Sequence, residues 1–152
     1  VGILLPVASL PGNSGIGDFG VNAKTFLDWL SKHHYRYWQI LPLNPLGHGN
    51  SPYMSTCSNA IDYIYIDLNE VNELKEENIP TYRKDSPYIN YEKVRSFKYK
   101  WLYKAYQNYS KGKMEALKKF KTRHPWVMKY ATFCVFKEIN NDPSSYNTIE
   151  RK

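Results

Sequence analysis

The sequence predicts an α/β chain: a parallel strand–helix–strand unit within residues 1–62, followed by a mainly helical region over 63–152. Three observations carry this reading. Seven of the eight glycines and five of the nine prolines fall within residues 1–52, so the first third is dense in tight turns. Within it, two short apolar runs, Gly2–Leu5 and Tyr37–Leu41, flank one amphipathic segment. Beyond residue 90, apolar residues recur at helical spacing through three successive segments.

Gly2-Ile3-Leu4-Leu5, stopped by Pro6, suits a strand buried on both faces. A long turn region runs from Ser9 to Gly20. A helix is expected over Asn22–His33, with Ala23, Phe26, Leu27 and Leu30 on one face, and a second strand over Tyr37–Leu41, ended by Pro42. A strand, about three helical turns and another strand within some forty residues make a parallel unit with a right-handed crossover. In α/β folds the working edge is the carboxyl end of the strands, and here that edge receives two elaborate segments, Pro6–Gly20 and Pro42–Asn59.

Further along, Tyr63–Ile66 reads as a short strand and Asp67–Leu74 as a helical turn or two. A strong stripe of Val94, Phe97, Trp101, Leu102, Ala105, Tyr106 and Tyr109 predicts a helix over Tyr91–Tyr109. Ser110 is placed to cap a short helix, Lys113–Lys121. Pro125 suits the start of a last helix, with Val127, Tyr130, Ala131, Cys134, Phe136 and Ile139 behind it. One strand–helix–strand unit followed by helices is not a complete sheet protein, so the chain reads as the beginning of something larger.

With 152 residues, 42% apolar and 23% charged, the composition is that of a globular domain and excludes disorder, collagen and coiled coil. No apolar run approaches the ~20 residues of a membrane span, and Val1–Leu10 lacks the pattern of a secretory signal. Two cysteines, Cys57 and Cys134, form neither a disulfide framework nor a zinc pattern, so a reducing, cytoplasmic setting is expected, or a plastid for a plant-like parent. The net charge of +7 is uneven: residues 1–91 carry −3 and residues 92–152 carry +10. Most of the excess is Lys beside an apolar helical pattern, which reads as the solvated outer face of surface helices. No nucleic-acid partner and no membrane partner are expected.

The chemistry-bearing stretch is Gln39–Ser55, where three prolines and two glycines stiffen a loop displaying His48, Asn50, Ser51, Tyr53 and Ser55. Short hydroxyl and amide groups beside an aromatic ring suit sugar, the polar groups bonding ring hydroxyls while the aromatic covers the C–H face. The alternative is a well-capped connection. Asn13-Ser14-Gly15-Ile16-Gly17-Asp18 has the glycines of a phosphate loop, but its spacing fits neither phosphate motif and no Lys follows. Asp18 is expected to favour the N-terminus of the following helix. His33, His34 and His124 read as helix-boundary residues, Trp101 and Trp126 as core, and Cys57 lacks a paired base. No two carboxylates stand out as a glycosidase acid and base.

In order and at near-fixed spacing, Gly2-Ile3-Leu4-Leu5-Pro6-Val7-Ala8-Ser9-Leu10-Pro11-Gly12, Gly15-Ile16-Gly17-Asp18-Phe19-Gly20, Tyr37-Trp38-Gln39-Ile40-Leu41-Pro42-Leu43 and Gly49-Asn50-Ser51-Pro52-Tyr53 resemble the 4-α-glucanotransferases, the amylomaltases or disproportionating enzymes of the α-amylase clan. The resemblance continues more weakly through Tyr65-Ile66-Asp67-Leu68, Asn90–Val94 and the run ending near Glu138. It covers nearly the whole chain but only about the first third of the family's length.

The resemblance implies the N-terminal part of a (β/α)8 barrel, with its first strand–helix–strand unit and substrate loop in residues 1–62. Residues 63–152 would be a mainly helical insertion, with the rest of the barrel beyond. It implies transfer of α-1,4-glucan segments between maltooligosaccharides through a covalent glycosyl-enzyme with retained configuration, and needs no cofactor and no metal. The catalytic carboxylates lie on later strands, so none is expected here and the chain alone is expected to be inert. Tyr53 matches the tyrosine flanking the sugar at the cleavage point, and Ser51 a donor-side contact. His48 stands where many members carry Tyr, which in some relatives helps bind a second glucan, Asn50 where Asp is common, and Met54 where Gln is common. The readings set against this one are a non-catalytic glucan-binding piece and a basic helical nucleic-acid binder.

Overall fold

The computed structural model describes residues 1–82, 87–109 and 114–140. Its regular elements are β1 (Gly2–Leu4), α1 (Val21–Lys32), β2 (Tyr37–Gln39), α2 (Tyr91–Tyr109), α3 (Met114–Arg123) and α4 (Trp126–Asn140), with 3₁₀ turns between them. β1 and β2 pair in parallel, with Gly2 opposite Tyr37, Ile3 opposite Trp38 and Leu4 opposite Gln39. The expected strand–helix–strand unit is therefore present. Leu5 N–H extends the ladder to the carbonyl of Gln39 at 3.0 Å. The indole of Trp38 donates to the carbonyl of Leu5 at 2.7 Å and meets Phe26 of α1 edge-on at 5.1 Å, which seats the helix on the sheet.

Burial on both faces does not hold in this chain. Leu4 is 57% and Tyr37 70% exposed, because a two-stranded sheet has two open edges and α1 shields only part of its surface. The core lies instead at the carboxyl ends of the strands. There Val7, Leu10 and Ile16 of the first loop pack against Ala23, Leu46, Ile64, Tyr65 and Val94. A second cluster gathers Leu68, Leu74 and Ala105, flanked by Phe97, Trp101 and Leu102. Helix α2 belongs to both.

Tyr63–Ile66 is not a strand. Asp62 accepts Ile64 N–H with its carboxylate at 3.2 Å and Tyr65 N–H with its carbonyl at 3.2 Å, so the backbone closes into a 3₁₀ turn, Tyr63–Tyr65. Asp67–Leu74 likewise resolves into two such turns, Leu68–Glu70 and Asn72–Leu74. The expected cap at Ser110 lies outside the described residues. Stripe residues are open to solvent on three helices: Leu27 of α1 is 50% and Tyr106 of α2 58% exposed, and in α4 Ala131, Phe136 and Ile139 are exposed.

The largest departure is Lys98. The sequence places the lysines of this region on the solvated face, yet Lys98 is fully buried. Its ammonium donates to Asp18 Oδ2 at 3.0 Å and to the carbonyl of Ile66 at 2.6 Å. Asp18 also accepts Gly20 N–H at 3.3 Å, so it does sit just before α1, but it caps none of the helix's own N–H groups and its ionic partner is Lys98. Burial raises the Asp18 carboxyl above its ordinary range, with Lys98 opposing, and lowers the Lys98 ammonium, with Asp18 opposing. An ion pair taken out of water is costly to half-remove. Lys98→Met, which leaves Asp18 alone, is expected to lower stability by about 3–5 kcal/mol in urea denaturation. The double variant with Asp18→Asn should recover a large part of that loss. Equal losses in the single and double variants would show that the pair is not what α2 depends on.

Candidate functional site

The segment Pro42–Asn59 leaves β2 and folds back as a hairpin. Leu46 and Ser55 form an isolated antiparallel bridge, Gly47 N–H reaches the carbonyl of Met54 at 2.7 Å, and Thr56 N–H that of Pro45 at 3.0 Å. At its tip His48–Asn50 forms a 3₁₀ turn with Gly49 at φ +76° and Asn50 at φ +55°. Gly tolerates the left-handed region without a steric cost, and Asn tolerates it better than most residues. Ser51 is extended at φ −72°, ψ 128°, as the following Pro52 requires.

Beyond the turn, Met54 N–H bonds the carbonyl of Ser51 at 3.1 Å, and Tyr53 N–H bonds the Ser51 hydroxyl at 3.4 Å. The ring of Tyr53 is left 76% exposed. Ser51 is half-buried and Asn50 exposed, while His48 opens the tip turn.

A cleft of about 190 Å³ lies where both strands end. Its walls are Pro6–Ser9 after β1, Leu41 and Leu43 after β2, Leu46, Asn50 and Pro52 of the hairpin, and Tyr65, Ile89 and Tyr91 from the helical region. The carboxyl edge thus carries a recess, and Asn50 is the sequence-chosen residue that borders it. Asn50, Ile89 and Tyr91 also border a shallower depression shared with Tyr88, Asn90 and Glu92. Among the described residues, no carboxylate, histidine or cysteine lines the 190 Å³ cleft. It offers apolar surface, an amide and phenolic hydroxyls. Burial, with Tyr91 and Asp62 adding, pushes the Tyr65 phenol up to about 12, and burial also raises that of Tyr91. Both stay neutral donors at physiological pH. Among the described residues, no three His, Cys, Asp or Glu side chains converge as a metal site needs, and no helix is long and apolar enough to cross a membrane.

Sequence reasoning missed three contributors. Tyr91 reads as the start of a helix and Tyr65 as part of a strand, and neither carries a site role in the sequence. Asp62 was not singled out, although its carboxylate is fully engaged. Oδ1 takes Ile64 N–H and Arg95 Nη1 at 3.2 Å each, and Oδ2 takes Leu46 N–H at 3.2 Å and Arg95 Nη2 at 2.7 Å. The one available signal was on α2: Arg95 and Lys98, three apart, border the apolar stripe of Val94, Phe97 and Trp101.

Fold and cleft describe an α/β unit with an uncharged recess at the carboxyl ends of a parallel sheet, where enzymes of this class bind their ligands. A sequence profile described as 4-alpha-glucanotransferase matches residues 5–151, and the chain belongs to that family. It is 40% identical over 143 residues to the 4-alpha-glucanotransferase of Aquifex aeolicus, covering 90% of this chain and 29% of that protein. Against the Clostridium butyricum enzyme the identity is 36%, covering 86% and 28%. Among solved structures, the amylomaltase from Streptococcus agalactiae in complex with acarbose superposes with a TM-score of 0.79 at 32% identity, over 90% of this chain and 29% of that one. The chain therefore spans less than a third of the length of these relatives.

Gly49→Ala isolates the cost of the tip turn, since nothing lies within 4 Å of where the added carbon would sit. The expected loss is about 1–2 kcal/mol, purely conformational, in urea denaturation. An unchanged midpoint would mean that the tip does not hold its left-handed geometry in solution.

Proposed function

We propose that this chain is the N-terminal part of a 4-α-glucanotransferase, supplying donor-side sugar contacts to an active centre completed by the rest of the protein. In this reading residues 1–62 are the first strand–helix–strand unit of a (β/α)8 barrel and residues 63–152 its helical insertion. A barrel of that kind needs at least about 200 residues. The open edges and exposed faces of the two-stranded sheet support the reading, since further strands would cover them. The observation that carries it is the hairpin at the carboxyl edge, with Ser51 and an exposed Tyr53 held beside an uncharged cleft, in a chain matched to the family over nearly its whole length.

The reaction of such a protein breaks the α-1,4 bond of a donor glucan at C1 and attaches C1 to an enzyme carboxylate as the leaving 4-hydroxyl takes a proton. The 4-hydroxyl of an acceptor glucan then displaces the carboxylate and gives up its proton, restoring the original configuration. Two carboxyl groups about 5–5.5 Å apart are required, and they belong to later strands. What this chain contributes is orientation. Pro52 fixes its own φ, Ser51 is held extended, and the Ser51 hydroxyl accepts from Tyr53 N–H, so the backbone from which the Tyr53 ring projects is set before a sugar arrives. A preset contact at the reacting carbon spends no binding energy on ordering itself.

Incubated with maltotriose, the full-length protein is expected to release glucose and build longer maltooligosaccharides, while residues 1–152 alone do neither. Tyr53→Ala in the full-length protein should slow transfer by roughly ten- to a hundredfold, about 1.4–2.7 kcal/mol of transition-state stabilisation, with little change in melting temperature. A variant that unfolds while its folded fraction keeps full activity would make Tyr53 a structural residue and overturn the site assignment.

A further inference from the structure

We propose that Arg95 is a positioning residue for glucan transfer, acting through Asp62 to set the hairpin that carries Ser51 and Tyr53; this rests on the reading given under Proposed function. Arg95 projects from α2, in the helical region, and its hydrogen bonds go to Asp62. Its planar guanidinium grips the carboxylate of Asp62 with two parallel bonds, Nη2–Oδ2 at 2.7 Å and Nη1–Oδ1 at 3.2 Å. The carbon at the centre of the fork lies 5.6 Å from the centre of the Tyr63 ring, so the aromatic face backs the grip. Asp62 is 1% exposed.

Each carboxylate oxygen has one further partner, and these partners give the pair its reach. Oδ1 holds Ile64 N–H and so the 3₁₀ turn that brings Tyr65 to the cleft. Oδ2 holds Leu46 N–H at 3.2 Å, and Leu46 is the residue at which the hairpin closes against Ser55. The bonds above that point, Gly47 to Met54 and Met54 to Ser51, are internal to the hairpin. They fix its shape but not its angle to the sheet. Asp62 supplies a fixed reference, since its own N–H bonds the carbonyl of Leu43 at 2.8 Å. The direction of the carboxylate, and with it the place of Leu46, is set by a bidentate fork that only arginine provides. A lysine at 95 keeps the charge but bonds one oxygen at a time, leaving the carboxylate free to rotate away from Leu46.

The test is a double-mutant cycle in the full-length protein, with kcat and KM measured for maltotriose disproportionation. Arg95→Lys is expected to lower kcat/KM about tenfold. If Arg95 acts through the hairpin, that loss should largely vanish once Tyr53 is gone, so that Arg95→Lys/Tyr53→Ala lies within about twofold of Tyr53→Ala alone. Losses that simply multiply, or an Arg95→Lys protein as active as wild type, would overturn the proposal. A second readout is hydrogen exchange by mass spectrometry of the peptide containing Leu46. Exchange there should accelerate at least tenfold in Arg95→Lys while the β1 peptide is unchanged; equal exchange in both proteins counts against the clamp. Should Arg95→Lys fail to fold, Arg95→Gln is read by the same exchange experiment with the same two outcomes. A wild-type protein without transfer activity, or a fully active Tyr53→Ala, contradicts the reading under Proposed function instead, and the exchange at Leu46 then decides the clamp by itself.

Discussion

Two cations three residues apart on α2 hold this structure together, because each enters the interior to meet a carboxylate from the loops after the strands. Arg95 binds Asp62 and Lys98 binds Asp18, and the ammonium of Lys98 also takes the carbonyl of Ile66. The β1–β2 sheet is three residue pairs long and could not by itself order the loops at its carboxyl edge. Those loops bury Val7, Leu10 and Ile16 against Val94, on the same helical turn as the two cations. Charge and apolar burial thus act at one place. The charged groups fix which turn of α2 faces which loop, and the apolar cluster supplies the driving force.

This arrangement makes the helical region part of the recess rather than an appendage. Tyr91 begins α2 and lines the cleft, and Ile89 precedes it. Val94 is fully buried against the first loop, and Arg95 reaches the base of the hairpin. Farther along, the side-chain amide of Asn108 donates to the carbonyl of Glu73 at 2.9 Å, so the far end of α2 is also tied down. Helices α3 and α4 differ. Neither contains a buried residue, and Met114, Phe120, Met128, Val135, Phe136 and Ile139 all remain exposed.

Much of the chain was legible in its sequence where local rules decide the outcome. The parallel pairing of Gly2–Leu4 with Tyr37–Gln39 follows from two apolar runs on either side of one amphipathic helix. The bounds of α2 are those its stripe predicts, Tyr91 to Tyr109. The extended geometry of Ser51 follows from Pro52. The failures have two physical sources: a local side-chain bond that displaces strand pairing, and a distant partner that local pattern does not mark. Tyr63–Ile66 alternates like a strand, but Asp62 offers its N–H groups nearer partners than any neighbouring strand. Lys98 borders the apolar stripe of α2, but in a lysine-rich helix that position alone does not mark it for burial, since its partner is 80 residues away. The family resemblance rests on the turn-rich loops, so the sequence draws the eye to the segment that forms the hairpin and not to the Arg95–Asp62 pair behind it.

In the proposed function the exposed ring of Tyr53 and the Ser51 hydroxyl meet a glucan at the carboxyl edge of the sheet. The decisive experiment is a crystal structure of the full-length protein with a bound maltooligosaccharide. A sugar ring is expected to lie against the Tyr53 face, with a sugar hydroxyl within hydrogen-bond distance of Ser51 and the Asp62–Arg95 pair intact behind the hairpin. A glucan bound in the active centre with Tyr53 and Ser51 turned away from it would contradict that function.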